Sequence, residues 1–352
     1  MLLFEKGKNF VEKYDKYLGF VALAFGFTVD NLTLTRIDLL LDNVILFTYL
    51  AIAGIAIIVI NAYPNATVSR WLPLVMQYAF GGLFSGYVVF YTRSGSLFGS
   101  LPFILILIFL LVGNEFFRRR YERIIFQAGM YYIAVFSFFI FFIPVIMKKI
   151  GPEIFIISGI VSLFYIGIVI YALKHSKTTT SLAIMGAKIV VGIIFASFNI
   201  LYFTNLLPPI PLSLKGFEIA YNVEKIDNSF IVYKEHVPWY KYKDHNVYKY
   251  QPERAIYAFS AVFAPTDLKS TIFHEWTFFD EEFQAWEKRD TVRFDILGGR
   301  DGGYRGFSYK KNIEPGTWRV DVVTDTKQLL GRKTFTLIED SSPLELISEI
   351  KN

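Results

Sequence analysis

Residues Ile124–Met147 read IIFQAGMYYIAVFSFFIFFIPVIM, a run without one charged side chain. A membrane-spanning helix needs about 20 mostly apolar residues, because each residue rises 1.5 Å and the hydrocarbon core is about 30 Å thick. Five further runs meet this length or come close to it: Val44–Ile60, Trp71–Thr92, Gly95–Gly113, Ile154–Leu173 and Ala183–Leu207. A seventh, Tyr17–Val29, would cover only about 20 Å. It spans if it continues through Asp30 and Asn31, and is otherwise re-entrant or interfacial. The sequence therefore predicts a helical membrane bundle of about seven spans, the first of them short.

The composition agrees. Of 352 residues, 53% are hydrophobic, 36 are Phe, and only 19% are charged, against about 25% charged in soluble domains. The charge is unevenly placed. Residues 1–210 carry a net +7 and residues 211–352 a net −2. The break at Pro208-Pro209-Ile210-Pro211 is thus a change of solvent as well as of domain. It divides a transmembrane helical domain, 1–210, from a soluble domain, 211–352. The excess basic charge sits in short loops between apolar runs, where it sets orientation, and not in a stripe for nucleic acid. With no Cys, disulfides, cysteine nucleophiles and thiolate metal sites are excluded.

Orientation follows from counting Lys and Arg. With the N-terminus inside, inside segments hold 11 and outside loops 4. The Arg118–Arg120 cluster fixes the later helices whether or not Tyr17–Val29 spans, so the C-terminal domain is expected outside the cell. The N-terminal stretch lacks the small-residue cleavage site of a signal peptide.

From Phe217 onward, short strand-like runs alternate with turn residues. Eight are expected: Phe217–Val223, Phe230–Lys234, Ile256–Phe263, Thr271–Phe279, Thr291–Leu297, Tyr304–Tyr309, Trp318–Thr324 and Arg332–Ile338. Many short strands without helices indicate an all-β sandwich, immunoglobulin-like or carbohydrate-binding-like. The period of two is plain: Trp318, Val320 and Val322 oppose Arg319 and Asp321, and Val292, Phe294 and Ile296 oppose Arg293 and Asp295. Trp318, just after Pro315-Gly316, is expected to serve as a corner whose ring nitrogen returns to the backbone.

Two groups of residues could carry a function. In Ile272–Phe279 both faces are apolar. Either His274 is a buried, hydrogen-bonded histidine, or His274 and Trp276 form an exposed aromatic–polar platform. The stretch Gly298-Gly299-Arg300-Asp301-Gly302-Gly303-Tyr304-Arg305 is either a strand-connecting turn or a hairpin presenting Arg300, Tyr304 and Arg305 to an anionic or sugar ligand. The second group is Asp30, Arg36, Asp38 and Asp42, at the outer end of the first two apolar runs. It is either a solvated loop with a local ion pair or a polar site at the membrane face. No hydrolase constellation and no metal-ligand spacing is present. No catalytic residue, metal or cofactor is therefore expected, and an enzyme is the less favoured class.

Several motifs fall in a fixed order: His274-x-Trp276, Gly298-Gly299-Arg300, Tyr304-Arg305-x-Phe307-Ser308-x-Lys310, Pro315-Gly316-x-Trp318-Arg319-Val320 and Gly331-Arg332-x-x-Phe335. This pattern resembles the bacterial domain of unknown function catalogued as family 2914. The stretch Gly26-Phe27-x-x-Asp30-x-Leu32-Thr33-Leu34-x-Arg36-x-Asp38 also looks like the membrane part that accompanies that domain. The resemblance implies a bacterial, multi-pass plasma-membrane protein and brings no activity. Three functions are expected in descending order. The first is a membrane-anchored extracytoplasmic binding or sensing protein for a glycan, peptide or envelope partner. The second is an envelope scaffold, and the third a transporter or enzyme for a lipid-linked substrate. The bilayer is the expected partner in all three, and nucleic acid in none.

Overall fold

The computed structural model describes residues 24–34, 38–64, 71–93, 101–114, 123–176, 178–207, 211–227, 229–236, 246–251, 254–299, 302–311, 313–340 and 343–351. They form two compact units, helices in one and strands in the other. The helices are α1 (24–33), α2 (Leu40–Ala62), α3 (Leu72–Arg93), α4 (Leu101–Gly113), α5 (Ile124–Met147), α6 (Pro152–Lys174) and α7 (Ser181–Phe203).

Five of these helices, α2, α3, α5, α6 and α7, are long and apolar enough to cross a membrane, the pattern of a membrane protein. The other two of the about seven expected spans are not confirmed. The fourth run yields a described helix of 13 residues, which rises about 20 Å; residues 95–100 of that run lie outside the described residues. The first run lies mostly outside the described residues, though its described end stays helical through Asp30 to residue 33.

The centre of the bundle is α5. It is apolar all round, and such a helix is buried on all sides; its burial runs from Gln127 to Phe141 with few breaks. A helix shielded from water gains by bonding its polar side chains to its neighbours, and of Gln127, Tyr131, Tyr132 and Ser137 on α5 only the Ser137 hydroxyl has no partner among the described residues. Tyr131 Oη donates to Leu50 O on α2 at 3.0 Å, and Tyr132 Oη meets Ser162 Oγ on α6 at 3.1 Å. From α3, Tyr87 Oη donates to Ala134 O at 2.8 Å and Tyr91 Oη to Ser137 O at 3.3 Å. The fully buried Gln127 accepts from Asn61 Nδ2 at 2.6 Å. The large side chains that remain exposed, such as Phe109, Phe164 and Ile193, lie on the outside of the bundle, where lipid is the expected solvent. Glycines set the close approaches. A Cβ on Gly82 would lie 2.8 Å from the Tyr49 ring, and one on Gly54 would strike the Tyr131 hydroxyl. Gly86 serves packing in the same way, since its Cβ would meet Leu46 at 2.8 Å.

The β unit has eleven strands: β1 (Ser213–Ala220), β2 (Asn222–Ile226), β3 (Ser229–Glu235), β4 (Val247–Tyr250), β5 (Ile256–Phe263), β6 (Lys269–Asp280), β7 (Ala285–Leu297), β8 (Tyr304–Lys310), β9 (Gly316–Thr324), β10 (Leu329–Glu339) and β11 (Leu346–Lys351). They make a five-stranded sheet β4-β10-β9-β6-β7, a three-stranded sheet β1-β5-β8 and a second three-stranded sheet β11-β3-β2. All pairs are antiparallel except β4 with β10. The β1-β5-β8 sheet lies in the middle. From β5, Ile256, Ala258 and Val262 pack towards the five-stranded sheet, while Phe259 and Ala261 pack against Phe230 and Val232 of the small sheet. This is why β5 has no polar face to show in sequence: a strand buried on both sides reads as a continuous apolar run.

Three strand expectations are corrected. Phe217–Val223 is two strands, β1 and β2, broken at Tyr221 where the chain leaves the middle sheet for the small one. The strands β4 and β11 lie outside the eight expected; they are only 4 and 6 residues long, too short for a clear alternation. The expected corner is present: Trp318 is buried and its Nε1 donates to Glu314 O at 2.9 Å.

Gly54→Ala should destabilise the helical unit by about 1–3 kcal/mol, because Tyr131 cannot swing away without losing its bond to Leu50 O. Adding Tyr131→Phe, which removes the clashing hydroxyl, should recover part of the loss. A purely additive double mutant in thermal unfolding of the detergent-solubilised chain would contradict the contact.

Candidate functional site

On β6, residues alternate between the apolar interior and the outer surface of the five-stranded sheet. His274 and Trp276 fall on the inner side, at 0% and 1% exposure. The reading in which they form a surface platform is therefore corrected. His274 Nε2 lies 2.7 Å from Ser260 Oγ on β5, and Nδ1 lies 2.9 Å from Ser308 Oγ on β8. Trp276 Nε1 donates to the same Ser308 Oγ at 2.9 Å. One proton assignment uses each donor once: Trp276 N–H to Ser308, Ser308 O–H to His274 Nδ1, and His274 Nε2–H to Ser260. It requires a neutral ring. Burial drives the His274 pKa down to about 3.

The glycine-rich segment connects β7 to β8 and is packed backbone to backbone. Gly298 N donates to Leu268 O at 2.9 Å and Gly299 N to Ala264 O at 3.1 Å. A Cβ on Gly298 would overlap the carbonyl oxygens of Pro265 and Ala264, and Gly299 and Gly303 have φ of 110° and 82°. Only glycine fits these places. Arg300 lies outside the described residues. Tyr304 lines a shallow open cleft of about 530 Å³ with Lys269, Thr271, Asp295 and Asp325. Arg305 is next in sequence, so its side chain leaves the other face of β8. The expected grouping of Trp276, Tyr304 and Arg305 in one patch is thus not formed.

In the helical unit, Asp42 is buried in the first turn of α2 at 1% exposure, while Asp30 and Asp38 are half-buried. Arg36, their expected counter-ion, lies outside the described residues.

The structure assembles a different group, which sequence reading missed. On the outer face of the five-stranded sheet, Trp286 of β7 pairs across to Phe279 of β6, with ring centroids 5.1 Å apart. The Arg319 guanidinium of β9 lies over the Trp286 ring at 4.4 Å. The Trp286 side chain remains 37% exposed. Beside this pair, Glu275 binds Lys288 at 2.8 Å and Lys327 at 2.5 Å, and Asp321 takes a bidentate grip from Arg332 at 2.7 Å. Burial pushes the Glu275 carboxyl up, but the two lysines outweigh it and hold it below the usual range. Burial also pulls the Arg319 guanidinium below its ordinary value, against the pull of Asp321. Four cations thus face two carboxylates. Arg319 Nε has no hydrogen-bond acceptor among the described residues, the nearest carboxylate oxygen being Asp321 Oδ2 at 3.6 Å. A β-bulge between Trp276 and Thr277 shifts the register that sets Trp286 opposite Phe279. In sequence Arg319 falls on the polar face of its strand and Trp286 precedes the expected strand Thr291–Leu297; nothing there joined them. Among the described residues no cluster of three His, Asp or Glu is arranged for a metal.

A family described as "Protein of unknown function (DUF2914)" matches residues 269–337, from β6 to the end of the core part of β10. No curated protein matches the chain. Solved structures with some likeness include an immunoglobulin-like protein from Pseudomonas aeruginosa, at 10% identity over 36% of this chain and 96% of that one, TM-score 0.22. Another is a β-glucosidase from Listeria innocua in complex with gluconolactone, at 12% identity over 32% of this chain and 17% of that one, TM-score 0.19. A third is the alkylpurine DNA glycosylase AlkC of Pseudomonas fluorescens bound to DNA containing an abasic site analogue, at 10% identity over 86% and 99%, TM-score 0.22. Likeness at that level assigns no activity.

His274 gives a pH test. Its folded pKa of about 3 lies below the unfolded value near 6.5, so between them the unfolded chain holds the extra proton. The stability is therefore complete above about pH 6.5 and falls as pH drops towards 3. Between about pH 7.5 and 5 the β unit should lose about 2 kcal/mol. His274→Gln, which keeps a donor and an acceptor, should flatten that slope in thermal unfolding. An unchanged slope would show that the ring is not neutral in the folded state. Gly298→Ala should be more damaging than His274→Gln, with the β unit failing to give a cooperative transition.

Proposed function

We propose that this chain is a membrane-anchored recognition protein whose β unit binds an anionic envelope glycan on the outer face of its five-stranded sheet. The observation that carries the reading is the half-exposed Trp286 with the Arg319 guanidinium stacked on it, set among Lys288, Lys327 and Arg332. An aromatic ring offers a sugar a flat apolar surface, and arginine gives a carboxylate or phosphate directed donors. Rigid strands hold both groups before the ligand arrives, which lowers the ordering cost of binding. The neighbouring edge strand β7 is a poor template for an added strand, since Glu287, Lys288, Arg289 and Asp290 line it with exposed charge.

The remaining parts of the reading come from the sequence. The excess of Lys and Arg in alternate loops supports a plasma-membrane protein of bacterial type with its β unit outside the cell. The two-sheet core and the Trp318 corner support an immunoglobulin-like or carbohydrate-binding-like sandwich, backed here by a third sheet. The buried Asp42 carboxylate favours a second reading, a polar site in the helices serving transport or chemistry on a lipid-linked substrate.

The full chain in lipid nanodiscs, tested against anionic and neutral glycans and acidic peptides, should bind anionic glycans saturably. Trp286→Ala and Arg319→Gln should each weaken binding at least tenfold, about 1.4 kcal/mol, while Asp42→Asn leaves it unchanged. Saturable binding that survives both β-unit variants would remove the sheet face from the reading. Preference for acidic peptides would move the ligand class, and loss with Asp42→Asn alone would favour the second reading.

A further inference from the structure

The helical unit contains a cavity of about 1040 Å³ between α4, α5 and α7, open to one side. That is the upper end of the range for small-molecule sites. Its walls are aliphatic for most of their length, with Ile133, Val190 and Ile194 among them, and α5 packs closely on α7 at Gly129, where a Cβ would lie 3.0 Å from Val190. Its polar groups stand at one end, where Arg123 precedes α5 and Asn61 ends α2. Asn61 is already engaged, donating to Gln127 Oε1 and Ile57 O. Arg123 is exposed and has no carboxylate partner among the described residues. From Arg123 to Ile133 the helix rises about 15 Å, half of a hydrocarbon core of about 30 Å.

We infer that this cavity is a site for an anionic phospholipid, with the headgroup phosphate on Arg123 and an acyl chain along α5 and α7. The depth is that of one leaflet. The apolar wall fits a chain and gives a polar ligand nothing to bond. Arg123, the one cation at the mouth among the described residues, is the charge complement of a phosphate bearing no compensating amine, and basic pockets between membrane helices take anionic headgroups in this way. A second copy of the chain would instead need a helix face to fill the space and an acidic group to meet Arg123.

The test uses the full chain, solubilised in mild detergent and examined by native mass spectrometry, then exchanged into nanodiscs of phosphatidylcholine doped with phosphatidylglycerol. The wild type should retain bound phosphatidylglycerol over phosphatidylcholine by tenfold or more. Arg123→Gln should abolish that preference while keeping the cavity. Ile194→Trp should obstruct the wall of the cavity and weaken the adduct of either lipid at least tenfold. Ile193→Trp, on the 60% exposed neighbour outside the cavity, should leave both unchanged and shows that a tryptophan on α7 does not unfold the bundle. Equal retention of the two lipids by the wild type overturns the proposal, as does an adduct that Ile194→Trp leaves as strong as in the wild type. A dimer that replaces the lipid adduct and is lost in Ile194→Trp would assign the cavity to a second copy instead.

Discussion

Two elements in this chain have almost no side left for water: α5 among the helices and β5 among the strands. An element buried on every side cannot leave a polar group to solvent, and each unmet donor or acceptor there costs more than a formed bond returns. The arrangement of the neighbours follows from that constraint. Tyrosines on α3 and α5 send their hydroxyls to backbone carbonyls across helix contacts. On β5, the one polar side chain that faces the large sheet, Ser260, is met by His274.

The same constraint acts within the segment that the family model matches. There His274, Trp276, Ser308, Trp318 and Phe335 are interior residues where the middle sheet faces the five-stranded one. Their contacts join the two sheets. The matched segment is also less than a folding unit. Its β8 pairs only with β5, which lies before the match, and the five-stranded sheet is completed by β4. A fragment of residues 269–337 would expose one whole side of β8.

With the interior given over to packing, the outer face of the five-stranded sheet carries the polar side chains and the half-exposed Trp286. Its position is fixed by strands rather than loops, so Trp286 and Arg319 are held in place by the ladder β9-β6-β7. The bulge at Trp276 matters here, since without it Trp286 would turn to the other side of β7.

The sequence by itself determined the helical and β halves, the long apolar runs, the alternation of Trp318, Val320 and Val322 against Arg319 and Asp321, and the Trp318 corner. Those are local patterns, fixed by the period of the backbone and by the length needed to cross a bilayer. Only the tertiary structure decided which side of Ile272–Phe279 faces inward, because a run apolar on both faces carries no period to read. It also decided that the strand expected at Phe217–Val223 breaks at Tyr221, since the turn is made by which sheet each half joins. The Trp286–Arg319 pair and the cavity beneath Arg123 were equally out of reach. Each brings together residues far apart in the chain, and strand order and helix packing, unlike periodicity, are set by which surfaces bury one another best.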